Sequence, residues 1–278
     1  MPAPAGRASE LAPAKLNLAL HVRGRLPDGR HQLETLFAFC TEGDRVEGWF
    51  VPEGNGMALE LAGPFADQLG DGVNLIEHAW SLMRARVGVP GAGSYTRFRL
   101  TKNLPVASGI GGGSADAAAA LRLMTALWRV DPRHAALAAP ELGADVPACL
   151  LSMTCRGDGA GDTVRLADAQ VSGSPVLLVN PGVPVSTRDV FARWDGVDRG
   201  PLGEDWRNGR NDLEAPARQL APAIAEVLQW LDERHGAELV RMSGSGATCF
   251  ALFASLDNRD AAAAACPSEW WHLASELR

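Results

Sequence analysis

"NLPVASGIGGGSADAAAALRLM", residues Asn103 to Met124, sets glycine at Gly109, Gly111, Gly112 and Gly113 and follows at once with an alanine-rich run. Glycine lacks a Cβ, so it admits positive φ and lets the backbone approach a bulky anion. Alanine is the strongest helix former. A glycine loop feeding a helix leaves the first backbone N–H groups without partners and turns the positive end of the helix dipole toward the loop. The pattern predicts an anion site suited to a triphosphate, ahead of a helix from about Ala115 to Trp128 with Leu121, Met124, Leu127 and Trp128 inward. A tight turn that packs the helix closely on a strand is the competing explanation. Walker A is excluded, because no lysine stands in the loop. The dinucleotide pattern GxGxxG fails as well, because Ser114 occupies its third glycine position.

Working outward, "YTRFRLTKN" alternates as a strand leading into the loop, and "NLIEHAWSLMRARVG" before it has helical spacing with a glycine stop. Further upstream, "AKLNLALHV" alternates Leu16, Leu18, Leu20 and Val22 with Lys15, Asn17, Ala19 and His21. That predicts a half-buried strand with Lys15 and Asn17 together on its polar face. "QLETLFAFC" reads as a second strand after the Pro27-Asp28-Gly29 turn, and "DRVEGWFV" and "MALELA" as a hairpin around "PEGNG". Downstream, "HAALAAPELGADVPACLL" predicts a short helix, a break and a second buried segment, and "GDGAGD" a turn. "PVLLVNPG" is a buried strand, and "STRDVFARW" a short helix capped by Ser186 or Thr187. After the polar loop "GVDRGPLGEDWRNGRN", the amphipathic stretch 212–236 aligns Leu213, Ala217, Leu220, Ile224, Val227 and Leu231. "ELVRMSGSGATCFALFA" reads as strand, glycine turn, strand. Helices and strands interleave without strict βαβ alternation, which predicts an α+β fold in two lobes.

The bulk properties bound the function. A chain of 278 residues with 46% hydrophobic content can bury a sizeable core. No apolar run reaches the roughly 20 residues needed to span a bilayer, and the first residues lack signal-peptide organisation. The net charge of −7 argues against a nucleic-acid binder. Five cysteines without CxxC pairing predict buried free thiols in a reducing cytosol. These observations predict a cytoplasmic protein with neither membrane nor nucleic-acid partners.

Three segments resemble, in order, the motifs of the GHMP kinase superfamily: "APAKLNLAL" from Ala12, "LPVASGIGGGSADAA" from Leu104 and "MSGSGATCF" from Met242. "PDGRHQLETLF" and "LGADVP" are similar to segments of the branch that acts on a cytidine diphosphate derivative of methylerythritol in the non-mevalonate isoprenoid pathway. The resemblance implies an ATP-binding N-terminal lobe like a domain of ribosomal protein S5, over residues 1–167. It implies a ferredoxin-like C-terminal lobe over 168–278, with substrate in the cleft. It also implies an ATP-dependent small-molecule kinase using Mg2+, as a monomer or weak homodimer. Asp145 matches the base that takes the hydroxyl proton, and Lys15 the catalytic lysine. A helix cap for Asp145 and an exposed strand lysine for Lys15 are the structural alternatives.

The resemblance further assigns Pro105, Val106, Ala107, Ser108, Gly109, Ile110, Gly111, Gly112, Gly113, Ser114 and Ala115 to the phosphates of ATP, and Lys102 and Asn74 to its adenine pocket. Ser114 is the expected magnesium contact. Asn17, Arg30, His31, Phe191 and Thr187 are the expected substrate residues, with His31 and Phe191 on the cytosine. Arg30 departs from the Gly-Tyr-His pattern of many relatives, and its planar guanidinium is expected over the base instead. Another GHMP kinase, of homoserine or mevalonate type, and a nucleotide-binding regulator without catalysis are the competing readings.

Overall fold

The computed structural model describes residues 7–51, 56–70, 72–88 and 95–278. Along the chain come β1 (Ala8–Arg25), β2 (His31–Val51), β3 (Gly56–Ala62), α1 (Leu75–Val87), β4 (Tyr95–Thr101) and α2 (Gly112–Trp128). Then follow α3 (Arg133–Leu142), α4 (Val146–Leu151), β5 (Cys155–Asp158), β6 (Thr163–Leu166), β7 (Pro175–Asn180) and α5 (Thr187–Ala192). The chain closes with α6 (Glu214–Leu220), α7 (Ala223–Asp232), β8 (Ala237–Met242), β9 (Cys249–Phe253), α8 (Leu256–Ala264) and β10 (Trp271–Glu276). Two compact units result. The first holds residues up to Ala14, Glu42–Val106 and Gly112–Ser152; the second holds Lys15–Thr41, Ala107–Gly111 and Met153–Arg278.

In the first unit β4 runs antiparallel to the end of β2 and parallel to β3, with Val46 opposite Leu100 and Leu59 opposite Phe98. The hairpin expected between "DRVEGWFV" and "MALELA" is therefore absent, because β4 takes the place between those strands. Residues 52–55 of its supposed turn lie outside the described residues. Helices α1, α2, α3 and α4 pack on one another, centred on α2. Its alanines Ala117 to Ala120 are all buried, and small side chains let neighbouring helices come close. Arg122 bonds the Cys149 carbonyl at 3.0 Å and Glu10 at 2.8 Å, tying α2 to α4 and to the start of β1.

In the second unit β5 and β6 form a hairpin beside the first half of β2, as the "GDGAGD" turn predicts. Strands β7 to β10 form an antiparallel sheet in the order β10-β7-β9-β8. With α5, α6 and α7 between β7 and β8 and α8 between β9 and β10, this is the ferredoxin-like arrangement. Leu177, Val179, Ile224, Val227, Leu231 and Phe253 belong to its core, and burying each such side chain contributes about 1.5–3 kcal/mol.

Four expectations need correction. β1 is buried on both faces from Ala12 to Val22, so its polar side chains are interior and satisfied by bonds rather than by water. The segments read as a second and a third strand are one 21-residue strand, β2. Helix α2 starts at Gly112, three residues before the expected Ala115, so Gly112, Gly113 and Ser114 form its first turn. The amphipathic stretch is two helices broken at Ala221 and Pro222, since proline fits a helix start but not its interior. Sequence periodicity also left α8 and β10 unread.

Candidate active site

The glycine loop at 109–111 and the "MSGSGATCF" segment meet in the second unit. Gly109 has φ +80°, and a Cβ there would stand 2.6 Å from the Gly246 carbonyl oxygen. Gly111 has φ +66°, with a hypothetical Cβ 2.8 Å from Lys15 Cε. Only glycine combines that backbone with that closeness. The Ser243 hydroxyl donates to the Gly109 carbonyl at 3.0 Å and accepts from the Asn17 N–H at 3.2 Å. Thr248 N–H donates to the Ser108 carbonyl at 3.1 Å, and Lys15 N–H to the Ile110 carbonyl at 2.9 Å. Asn211 donates to the carbonyls of Met242 and Gly244, both at 2.8 Å, and fastens the second loop from behind. Three distant stretches thereby hold one another.

Lys15 is 3% exposed, which removes the exposed-lysine alternative. Its Nζ donates to Asn17 Oδ1 at 2.8 Å and lies 5.2 Å from the Phe37 ring centre. Asn17 Nδ2 donates in turn to Thr35 Oγ1 at 2.8 Å, whose hydroxyl donates to the Ala19 carbonyl at 2.7 Å. The relay fixes the amide orientation so that its oxygen faces the ammonium. Burial pushes the Cys155 thiol up to about 12, with Lys15 acting in the opposite direction, so the thiol stays neutral at physiological pH.

His31 opens β2, with its ring 4.7 Å from Phe191 and 5.6 Å from Trp194, the latter edge-on. Burial, with Arg25 second, holds its pKa below the usual histidine value, so the ring is neutral at pH 7. His31 Nε2 and Trp194 Nε1 are buried without hydrogen-bond partners. A neutral imidazole with an unused nitrogen beside two aromatic rings suits a planar heterocycle. Trp194 was missed in the sequence; its position three residues after Phe191, one helical turn on, was the available signal. Arg30 adjoins His31 in the chain, with its guanidinium bonded to Asp28 at 2.8 Å and Asp162 at 2.9 Å. Thr187 shares a hydrogen bond of 2.8 Å with Ser245.

Asp145, Asn74, Lys102, Pro105, Val106 and residues 112–115 belong to the first unit. Asp145 precedes α4, whose Pro147 suits a first turn, but its side chain makes no capping bond. The capping alternative therefore fails, and the carboxylate sits half-buried at a helix start. Asn74 caps α1, accepting from Ile76 N–H at 2.9 Å while Glu77 accepts from Asn74 N–H at 2.9 Å. Lys102 is 2% exposed and paired with Asp44 and Asp116, so it is no ordinary surface lysine. Ser114 is half-buried in the first turn of α2. Among the described residues no helix is long and apolar enough to cross a membrane, and no three acidic, histidine or cysteine side chains group as a metal site.

This pairing of interlocked glycine loops with a ferredoxin-like sheet is the arrangement of a GHMP kinase. The family models for the GHMP kinases N terminal domain and GHMP kinases C terminal match residues 74–153 and 199–272. The chain is thus an ATP-dependent small-molecule kinase. It is 50% identical to the 4-diphosphocytidyl-2-C-methyl-D-erythritol kinase of Rhizorhabdus wittichii, over 100% of this chain and 97% of that protein. It is 47% identical to the Sphingopyxis alaskensis enzyme, over 95% and 96%. A crystal structure of 4-(cytidine 5'-diphospho)-2C-methyl-D-erythritol kinase superposes with a TM-score of 0.80 at 34% identity, covering 97% of this chain and 99% of that one. Homoserine kinase from Cytophaga hutchinsonii shares the fold, with a TM-score of 0.74 at 16% identity over 98% of this chain and 95% of that one. The chain belongs to the 4-diphosphocytidyl-2-C-methyl-D-erythritol kinase family.

Proposed function

We propose that the chain transfers the γ-phosphoryl of ATP to the 2-hydroxyl of 4-diphosphocytidyl-2-C-methyl-D-erythritol, a step toward isoprenoid precursors outside the mevalonate route. Full-length likeness to kinases named for that substrate supports the reading. The observation that carries it in this chain is the Lys15–Asn17–Thr35 relay, anchored through the Lys15 backbone to the phosphate loop. Phosphoryl transfer needs positioning and charge stabilisation more than covalent chemistry. Asp145 takes the proton of the attacking hydroxyl. The Lys15 ammonium stabilises charge on the transferring group.

Backbone N–H groups of residues 105–115 hold the phosphates at the positive end of α2. Asn74 serves the adenine side. Asn17 and Thr187 orient the acceptor, and Arg30, His31 and Phe191 hold the cytosine. The half-buried Ser114 hydroxyl at the start of α2 fits Mg2+ as a phosphate-loop hydroxyl does, with nucleotide phosphates and water as the other oxygens. Ser114 is the residue that would hold it, and the metal would neutralise phosphate charge. The domain division that goes with this role is an ATP domain over 1–167 and a second domain over 168–278. The test mixes protein, ATP and Mg2+ with the cytidine substrate, homoserine or mevalonate and follows ADP. Release with the cytidine substrate alone is expected; release only with another acceptor, or with none, rejects the assignment.

A further inference from the structure

The interior of the first unit contains an ion cluster that the reaction does not explain. Lys102, the residue after β4, donates from Nζ to Asp44 Oδ2 on β2 and, at 2.8 Å, to Asp116 Oδ2 in α2. Asp44 is 0% exposed, Lys102 2% and Asp116 2%. Asp44 Oδ1 accepts the backbone N–H groups of Asn103 at 2.5 Å and Leu104 at 2.8 Å. A Cβ on Gly112 would stand 2.9 Å from Lys102 Nζ. The cluster thus holds the chain just before the glycine stretch, through Asn103 and Leu104, reaches Asp116 just after it, and sets Lys102 Nζ close against Gly112 within it. Asp116 keeps one buried carboxylate oxygen, Oδ1, with no partner.

Such a cluster is an expensive way to hold a fold, since desolvating three charges offsets much of their attraction and apolar replacements are often as stable. Its specific product is geometry: two carboxylates and one ammonium set where α2 begins and where its first-turn N–H groups point. We infer that Asp44, Lys102 and Asp116 are positioning residues for the nucleotide phosphates, acting through the backbone at Asn103–Leu104 and Gly112, and that the Lys102 ammonium serves the phosphate loop and not the adenine. The inference rests on the nucleotide-binding reading of that loop.

The test is equilibrium binding of ATP and of AMP, without acceptor, to wild type, Asp44→Asn, Asp116→Asn and Lys102→Met. Circular dichroism and urea midpoints establish which variants are folded. The asparagine variants keep side-chain shape and are the safer pair if Lys102→Met, which leaves two carboxylates facing each other, does not fold. Folded variants should lose about tenfold or more in ATP affinity, the scale of one charged hydrogen bond. AMP affinity should stay within about twofold, because AMP lacks the phosphates that the loop holds. Equal losses for ATP and AMP would put Lys102 on the adenine and overturn the inference. Unchanged ATP affinity in folded variants would reduce the cluster to a structural role and overturn it too. Wild type that binds neither nucleotide would instead remove the nucleotide-binding reading itself.

Discussion

Gly111 shows how little freedom the site has at the scale of one residue. With φ at +66° and Lys15 Cε in the place of a side chain, Gly111→Ala meets both backbone strain and a clash. Placing a non-glycine residue in the left-handed region costs about 1–2 kcal/mol. The clash must also shift a lysine that is fixed on Asn17. We expect a lower urea midpoint together with a much larger fall in kcat; a loss of stability with kcat unchanged would show that Lys15 tolerates displacement. Asp145→Asn should reduce kcat by about 100-fold to 10,000-fold, the usual worth of a general base, with ATP affinity nearly intact. Wild-type turnover in that variant would take Asp145 out of the proton-transfer role. Trp194 belongs to the same scale. Aromatic contacts of this kind are worth about 0.5–1.5 kcal/mol, so Trp194→Leu should raise KM for the cytidine substrate by about two- to twelvefold and leave KM for ATP alone. Steady-state kinetics with each substrate varied in turn would show the split, and equal changes in both KM values would contradict it.

At the scale of elements, the features written in local sequence were legible and those set by tertiary pairing were not. Asn74 with Glu77 three residues later is a capping box, and α1 starts there. The glycine run announced α2, although its first turn consumed two of the glycines that were read as loop. By contrast, nothing in "DRVEGWFV" or "MALELA" says that β4 will insert between them, because strand order depends on partners far along the chain. Lys15 and Asn17 showed the same limit. Alternation placed them on one face, but that face is covered, and only the fold supplies Thr35 and Ser243 as partners. The cap gives an element-scale test that separates structure from recognition. Asn74→Ala should cost about 1 kcal/mol of stability, whereas Asn74→Asp, an equally good cap, should not. If Asn74 also contacts adenine through its amide, both variants weaken AMP binding. Binding unchanged in Asn74→Asp would leave Asn74 as a cap alone.

At the scale of the whole molecule, the stretch read as a long polar loop, residues 196–211, is part of the architecture. Leu20 N–H donates to the Arg210 carbonyl at 2.8 Å, and Asp212 N–H to the Leu20 carbonyl at 2.9 Å. Arg241 reaches the Leu18 carbonyl at 2.6 Å. His21 sits within this seam, 2% exposed, with Nδ1 3.1 Å from the Gly200 carbonyl and Nε2 accepting the Arg210 N–H at 3.2 Å. These partners define a neutral ring with its proton on Nδ1, because a proton on Nε2 would face another N–H. Burial first, and the Arg210 charge with it, lower the His21 pKa below 6.5, against the Gly200 bond and the charges of Asp212 and Glu34. The sign for stability follows. Below 6.5 the unfolded chain takes up a proton that the folded chain refuses, so stability is full above 6.5 and falls as the pH drops toward the folded pKa. The slope reaches at most about 1.4 kcal/mol per pH unit for one group. His21→Gln removes the titration, so the stability advantage of wild type over that variant should shrink from pH 7.5 to pH 5.5. Urea midpoints at both values test this, and His31, also depressed, cancels in the comparison. A difference that stays constant across the interval would mean that His21 takes up its proton in the folded chain as it does in the unfolded one, and the neutral, Nδ1-protonated ring would have to be abandoned as the clasp between β1 and the 196–211 segment.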